Sequence, residues 1–163
     1  MQVTVELNGV DVPKKDHVKY LGVTLQSKMK FNLHVNNVIN KAKMVKSSLW
    51  CIISPKSKLN VVNKMNVYKL YIRSVLTYNI QIWCDVSNTC MKRLQTYQNK
   101  SIRLILKLRP NPVTHRQISN LDIHKMTNMP TIMNFANRLK ERYMNKCRNH
   151  PNEIVASFFP HTN

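Results

Sequence analysis

Only two glycines, Gly9 and Gly22, occur in 163 residues, and that scarcity limits what the chain can build. Glycine-rich phosphate loops and dinucleotide fingerprints need glycine where the backbone turns tightly or approaches a ligand closely. Such folds are excluded. A long chain with so little turn-forming residue favours helices, and the apolar pattern follows suit.

Residues 1–25 read as a β-hairpin. Val3, Val5 and Leu7 alternate with polar residues, Asn8-Gly9 gives a turn signal, and a second strand runs through Val18, Tyr20 and the Gly22–Leu25 stretch. From about Leu33 the period changes. Val35, Val38, Ala42, Val45, Leu49 and Ile52 recur at spacings of three and four, one stripe of an amphipathic helix that Ser54-Pro55 ends. Val61, Met65, Tyr68, Ile72 and Val75 mark a second helix, which continues or bends through Tyr78 to Trp83. Residues 85–87 then offer capping side chains. A third helix spans Asn88 to Lys107 with Leu94, Tyr97, Leu104 and Leu108 on one side, and Arg109-Pro110 stops it. A short helix is expected near Thr114–Asn120. Pro130-Thr131 starts a last one carrying Ile132, Phe135, Leu139 and Tyr143. The expected fold is mainly α: a hairpin over residues 1–28, a bundle of four to five helices over 29–149, and a partly disordered tail over 150–163 in which Ile154–Phe159 could dock on the bundle.

Lys and Arg number 26 against 7 acidic residues, a formal charge of +19. A compact domain under that self-repulsion fits the electrostatic footprint of a nucleic-acid binder. No apolar run approaches the ~20 residues of a membrane span, and no apolar signal core opens the chain. The expectation is an intracellular protein, nuclear or cytoplasmic, with no membrane partner.

Catalysis finds little to stand on. Two-metal nucleotidyl transfer needs clustered carboxylates, yet Glu6, Asp11, Asp16, Asp85, Asp122, Glu141 and Glu153 are scattered, and none sits in a Tyr-x-Asp-Asp arrangement. Serine and histidine occur, but not in a nucleophile-elbow context. His17 and His34 read as a strand residue and a helix-entry residue. Cys51, Cys84, Cys90 and Cys147 form no C-x-x-C pair; a zinc site from Cys84, Cys90, Cys147 and His150 is arithmetically open but lacks the tight ligand pairs structural zinc prefers. The reading assigns no catalytic residue and no metal ligand.

The organised feature is cationic. On the third helix Arg93, Lys100, Arg103 and Lys107 fall within roughly 80° at the 3.6-residue period, and Lys92 extends the patch. One side of that helix packs while the other tracks a phosphate backbone, releasing counterions at each contact. Tyr68, Tyr71, Tyr78, Trp83 and Tyr97 interleave with these cations; Tyr68 and Tyr97 lie on apolar stripes and read as core, the others as open to base stacking.

Three blocks carry a likeness that these patterns do not. They are Lys19-Tyr20-Leu21-Gly22-Val23-Thr24-Leu25, the run from Tyr68 to Trp83, and Leu94–Arg103 with its Gln98-Asn99-Lys100. Phe31-Asn32-Leu33-His34, Ile123-His124 and Pro130-Thr131 add to it. In order and interval they resemble the C-terminal part of the reverse transcriptase of jockey-like non-LTR retrotransposons, over about Val18 to Pro151. The resemblance implies a primer-grip-like hairpin with Lys19, Tyr20, Leu21 and Gly22 near the primer strand, and thumb-like helices that clamp a template–primer duplex of RNA or DNA. It also implies a parent polymerase using Mg²⁺, whose palm and fingers, potential partners of this chain, are absent here. Polymerisation by this chain alone is therefore not expected. Asn79 stands where the family commonly has glycine, and Met126-Thr127 replaces a more usual acidic-Leu pair. The alternative is a free-standing basic module for nucleic acid or protein, or an inert remnant.

Overall fold

The computed structural model describes residues 5–110, 112 and 117–159. The helical body expected from the sequence is present, with paired strands before it. The N-terminal region forms two hairpins where the pattern suggested one. Strands β1 (Val5–Leu7) and β2 (Val10–Val12) pair antiparallel around Asn8-Gly9, both at positive φ, as a two-residue turn requires. Val5, Leu7, Val10 and Val12 share one exposed face, while Glu6 sits directly opposite Asp11 on the other.

Strands β3 (His17–Tyr20) and β4 (Val23–Gln26) then pair around Leu21-Gly22. The stretch expected as one strand is itself a hairpin. Gly22 supplies one positive φ (82°) and Leu21 the other (44°). Leucine in the left-handed region costs roughly 1–2 kcal/mol, so nothing in its residue type announces a turn.

β4 is tied to α1 (Asn32–Ser48) by three hydrogen bonds. Thr24 N–H donates to His34 Nδ1 (3.2 Å), Asn37 Nδ2 to Thr24 Oγ1 (3.3 Å), and Leu33 N–H to Gln26 Oε1 (2.8 Å). The last matters because the residue preceding α1, Phe31, has no capping side chain; Gln26 satisfies an N–H that would otherwise be orphaned. Val35, Val38, Ile39 and Ala42 bury the expected stripe.

After α2 (Trp50–Ile53), Asn60 caps α3 (Val61–Val67) through Asn63 N–H. Lys64 is buried: its Nζ donates to Ser54 O (2.8 Å) and Ser57 O (3.0 Å), closing the α2–α3 connection. A π-helical stretch over Tyr68–Arg73 follows, then α4 (Ser74–Leu76). Asn79 takes the left-handed conformation (φ 50°) that its residue type tolerates and breaks the chain before α5 (Ile80–Trp83). Ser87, Ser119 and Thr131 cap α6 (Asn88–Ile105), α7 (Asn120–Thr127) and α8 (Ile132–Arg148). The short helix expected near Thr114–Asn120 falls largely outside the described residues. α9 (Glu153–Ser157) packs back on α8, with Phe159 edge-on to Tyr143.

The core gathers Tyr68, Ile72, Leu76, Ile80, Trp83, Leu94, Ile102, Ile123, Ile132 and Ala136. A polar cluster runs through it. Gln98 is fully buried; Tyr68 OH donates to its Oε1 (3.4 Å) and its Nε2 donates to Pro130 O (3.0 Å). Beside it Gln95 Oε1 accepts from Ile132 N–H (2.7 Å), and Gln95 Nε2 bonds Asn99 Oδ1 (2.7 Å). His124 Nδ1 lies 2.7 Å from Met129 O; with that nitrogen protonated, Nε2 accepts from Gln95 Nε2 at 2.9 Å.

Removing a buried partner strands the groups it satisfied, at about 1–3 kcal/mol each. Gln98→Ala is therefore expected to lower the unfolding free energy by at least about 2 kcal/mol in urea titration. A loss under about 0.5 kcal/mol, the scale of an ordinary surface change, would mean the amide does not hold the bundle.

Candidate nucleic-acid interface

A cleft of about 610 Å³ lies where the β3–β4 hairpin meets α1 and α4, lined by Lys19, Gly22, Thr24, His34, Lys41 and Tyr78 among others. Of the four hairpin residues expected near a primer strand, Lys19 and Gly22 line this cleft. Tyr20 and Leu21 project from the tip, 65% and 72% exposed. Gly22 permits a close approach, but what approaches is Tyr78 of the same chain: a Cβ there would meet Tyr78 Cε1 at 3.0 Å. Glycine at this position is accounted for by internal packing and its positive φ.

The cations of α6 do not form the single stripe expected. Lys92 and Lys100 are exposed. Arg93, also exposed, donates to Asn36 Oδ1 on α1. Arg103 is half-buried and committed to structure, donating to Ile118 O (2.9 Å) and Asn120 Oδ1 (2.7 Å). Lys107 is not on the helix. α6 ends at Ile105, where Lys107 N–H bonds Leu104 O (3.2 Å) and Leu108 N–H bonds Arg103 O (3.0 Å), with Lys107 at φ 56°. That is a Schellman motif with lysine in the place glycine usually takes. The helix stops two residues early for this reason; burial, and then the Lys107 charge, lower the Lys64 pKa.

The remaining aromatics divide similarly. Trp83 is core, its Nε1 donating to Tyr78 O (2.9 Å), so it is not open to bases. Tyr68 is core, Tyr97 half-buried, and Tyr71 and Tyr78 are exposed.

Sequence reasoning passed over Lys41, Lys43, Lys46 and Trp50. Lys41 lines the hairpin cleft, and the other three line the groove between α1 and α6. The signal was present, since positions 43, 46 and 50 recur at helical spacing on the face about 100° round from the apolar stripe. Neither α1 nor α6 carries an Asp or Glu. Among the described residues the ion pair is Lys140–Asp85 (2.7 Å), its carboxylate three residues before the start of α6 and on neither helix.

Against curated proteins, the chain is 28% identical over 153 residues to the probable RNA-directed DNA polymerase from transposon X-element of Drosophila melanogaster. It is 25% identical over 151 residues to the RNA-directed DNA polymerase from mobile element jockey of the same fly, and 24% over 156 residues to the probable polymerase from transposon BS. The homologues of this chain are non-LTR retrotransposon RNA-directed DNA polymerases. The matches cover 93–96% of this chain but only 16–17% of those polymerases. No family model and no solved structure matches the chain. The resemblance carried by Tyr20-Leu21-Gly22 and the Tyr68–Trp83 block thus extends over nearly all of its length.

Two-metal nucleotidyl transfer needs divalent cations held by clustered carboxylates. Among the described residues, no three His, Cys, Asp or Glu converge to hold a metal. The residues present do not fit such a site. Nor is any helix among them long and apolar enough to cross a membrane.

His34 is the histidine of the hairpin cleft. His34 Nδ1 accepts from Thr24 N–H, which fixes the proton on Nε2 and requires a neutral ring. Burial lowers its pKa below 6.5, and Lys19 and Lys41 line the same cleft. The unfolded chain then binds more protons below pH 6.5, so stability falls with acidity from there down. His34→Asn keeps an acceptor near the Nδ1 position and cannot ionise. Unfolding midpoints of the wild type are expected to drop between pH 7.5 and 5 more steeply than those of His34→Asn; parallel curves would exonerate His34.

Proposed function

We propose that this chain is the C-terminal, thumb-like region of a retrotransposon RNA-directed DNA polymerase, and that it clamps the template–primer duplex through phosphate contacts. The observation that carries the reading is the charge on two neighbouring helices. α1 bears Lys41, Lys43 and Lys46, α6 bears Lys92, Arg93, Lys100 and Arg103, and neither bears an acid. Fields from one sign of charge attract a polyanion and do so without reading its sequence.

Nucleotidyl transfer and its Mg²⁺ belong, on this reading, to palm residues outside the sequence. The exposed apolar face of β1–β2, with Val5, Leu7, Val10 and Val12, is a surface for packing against the palm. At the β3–β4 tip, Lys19, Tyr20 and Leu21 reach the primer strand, while Gly22 sets the turn that presents them.

A binder using about five phosphates should show a log–log salt slope of about −4.5 on duplex. Replacing Lys43, Lys92 and Lys100 by Gln is expected to flatten that slope by about 2.7, each phosphate contact counting about 0.9. The measurement is anisotropy of a labelled RNA–DNA hybrid across a NaCl series. Arg103→Gln, by contrast, should lower thermal stability more than it changes the slope. A triple variant with unaltered slope would remove the helical face from the proposal.

A further inference from the structure

Between α1–α2 and α6 lies a groove of about 450 Å³ lined by Lys43, Lys46, Trp50, Tyr97, Lys100 and Ser101. Its size falls in the range of small-molecule sites, about 300–1,000 Å³. No acidic side chain among the described residues lines it. Lys46 holds its ammonium 5.9 Å from the centre of the Tyr97 ring, in partial burial that lowers its pKa. Trp50 keeps 48% of its surface exposed at the groove, unusual for the largest apolar side chain.

The groove also holds two hydroxyls without partners. Ser101 is 2% exposed and, among the described residues, its Oγ has no hydrogen-bond partner; the buried Tyr97 OH has none among them either. A helical serine ordinarily bonds the carbonyl one turn back or points to solvent. A buried hydroxyl that does neither carries the cost of an unmade bond. Burial raises the Tyr97 pKa to about 12, so its hydroxyl remains a donor at any physiological pH.

We infer that this groove takes one unpaired nucleotide of a single strand, with its base face on Trp50, its phosphates on Lys43 and Lys100, and its polar edge on Tyr97 OH and Ser101 Oγ. A duplex cannot fill the groove in this way. Its base faces are covered by their neighbours, and it offers phosphates and groove edges alone. An unpaired base has a free face, and aromatic platforms with flanking cations are how single strands are held. The inference rests on the reading that the helical body binds nucleic acid and differs from it in strand state.

The two tryptophans make the test direct. Trp83 is 1% exposed, so a base stacking from solvent quenches Trp50 emission selectively. The full chain is titrated with a single-stranded oligonucleotide and with a blunt duplex of the same sequence. The single strand is expected to quench, and Trp50→Ala to weaken its binding about tenfold while changing duplex affinity less than about twofold. Trp50→Phe, which keeps a ring in place, should retain most of the single-strand affinity. Should Trp50→Ala fail to fold, Trp50→Leu, which keeps an apolar side chain but no ring, decides instead by the same comparison of the two substrates. Equal losses on both substrates, no quench by the single strand, or equal quenching by polyglutamate would overturn the assignment. Duplex binding without a single-strand quench would sink this inference and leave the clamp standing; single-strand quenching without duplex binding would do the reverse.

Discussion

The side-chain amide of Gln98 is the contact on which the helical body depends. It sits on α6, accepts from Tyr68 of the π-helical stretch and donates to Pro130 O at the entrance of α8. Gln95, Asn99 and His124 extend the cluster to α7 and to Ile132 N–H. Apolar packing brings helices together without fixing their register; a buried amide with two directed partners permits one arrangement. The blocks that carry the resemblance, Gln98-Asn99, Ile123-His124 and Pro130-Thr131, meet here. Their distinctive residues are accounted for by architecture, with no ligand needed to explain them.

The same distinction reorganises the charge. A net of +19 suggests a uniformly cationic surface, but several cations face inward. Lys64 is spent on two carbonyls. Arg73 is buried 3.8 Å above the Phe135 ring, donates to Met129 Sδ and has no carboxylate partner among the described residues. Arg103 pins the approach to α7. Lys92 and Lys100 of α6, with Lys43 and Lys46 of α1, make a cationic surface that neither helix displays alone.

Much of the fold was legible because it rests on period and punctuation. The stripes from Val35 to Ala42 and from Met65 to Ile72 are buried as spaced, Val45 and Leu49 pack partly buried against the core, and Thr131 opens α8. The errors share one cause, non-glycine residues held at positive φ. Leu21 makes a turn where a strand was read, and Lys107 ends a helix where Pro110 was expected to. Neither residue type advertises that geometry; it is imposed by the partner strand or by the last turn of the helix. The candidate interface was half legible for a related reason. Helical spacing places cations on a face, but only packing shows which of them are already engaged and which helix lies opposite.

The two hairpins differ in how they are held. β1–β2 is fixed mainly by its own pairing, whereas β4 is riveted to the first turns of α1 at Gln26, Thr24 and His34. β3–β4 therefore behaves as a short rigid lever with its fulcrum at Thr24. A push on Tyr20 or Leu21 at the free end is carried into the start of α1, whose far end bears Lys43 and Lys46. Whatever touches the tip is mechanically in series with the groove at the other end of that helix.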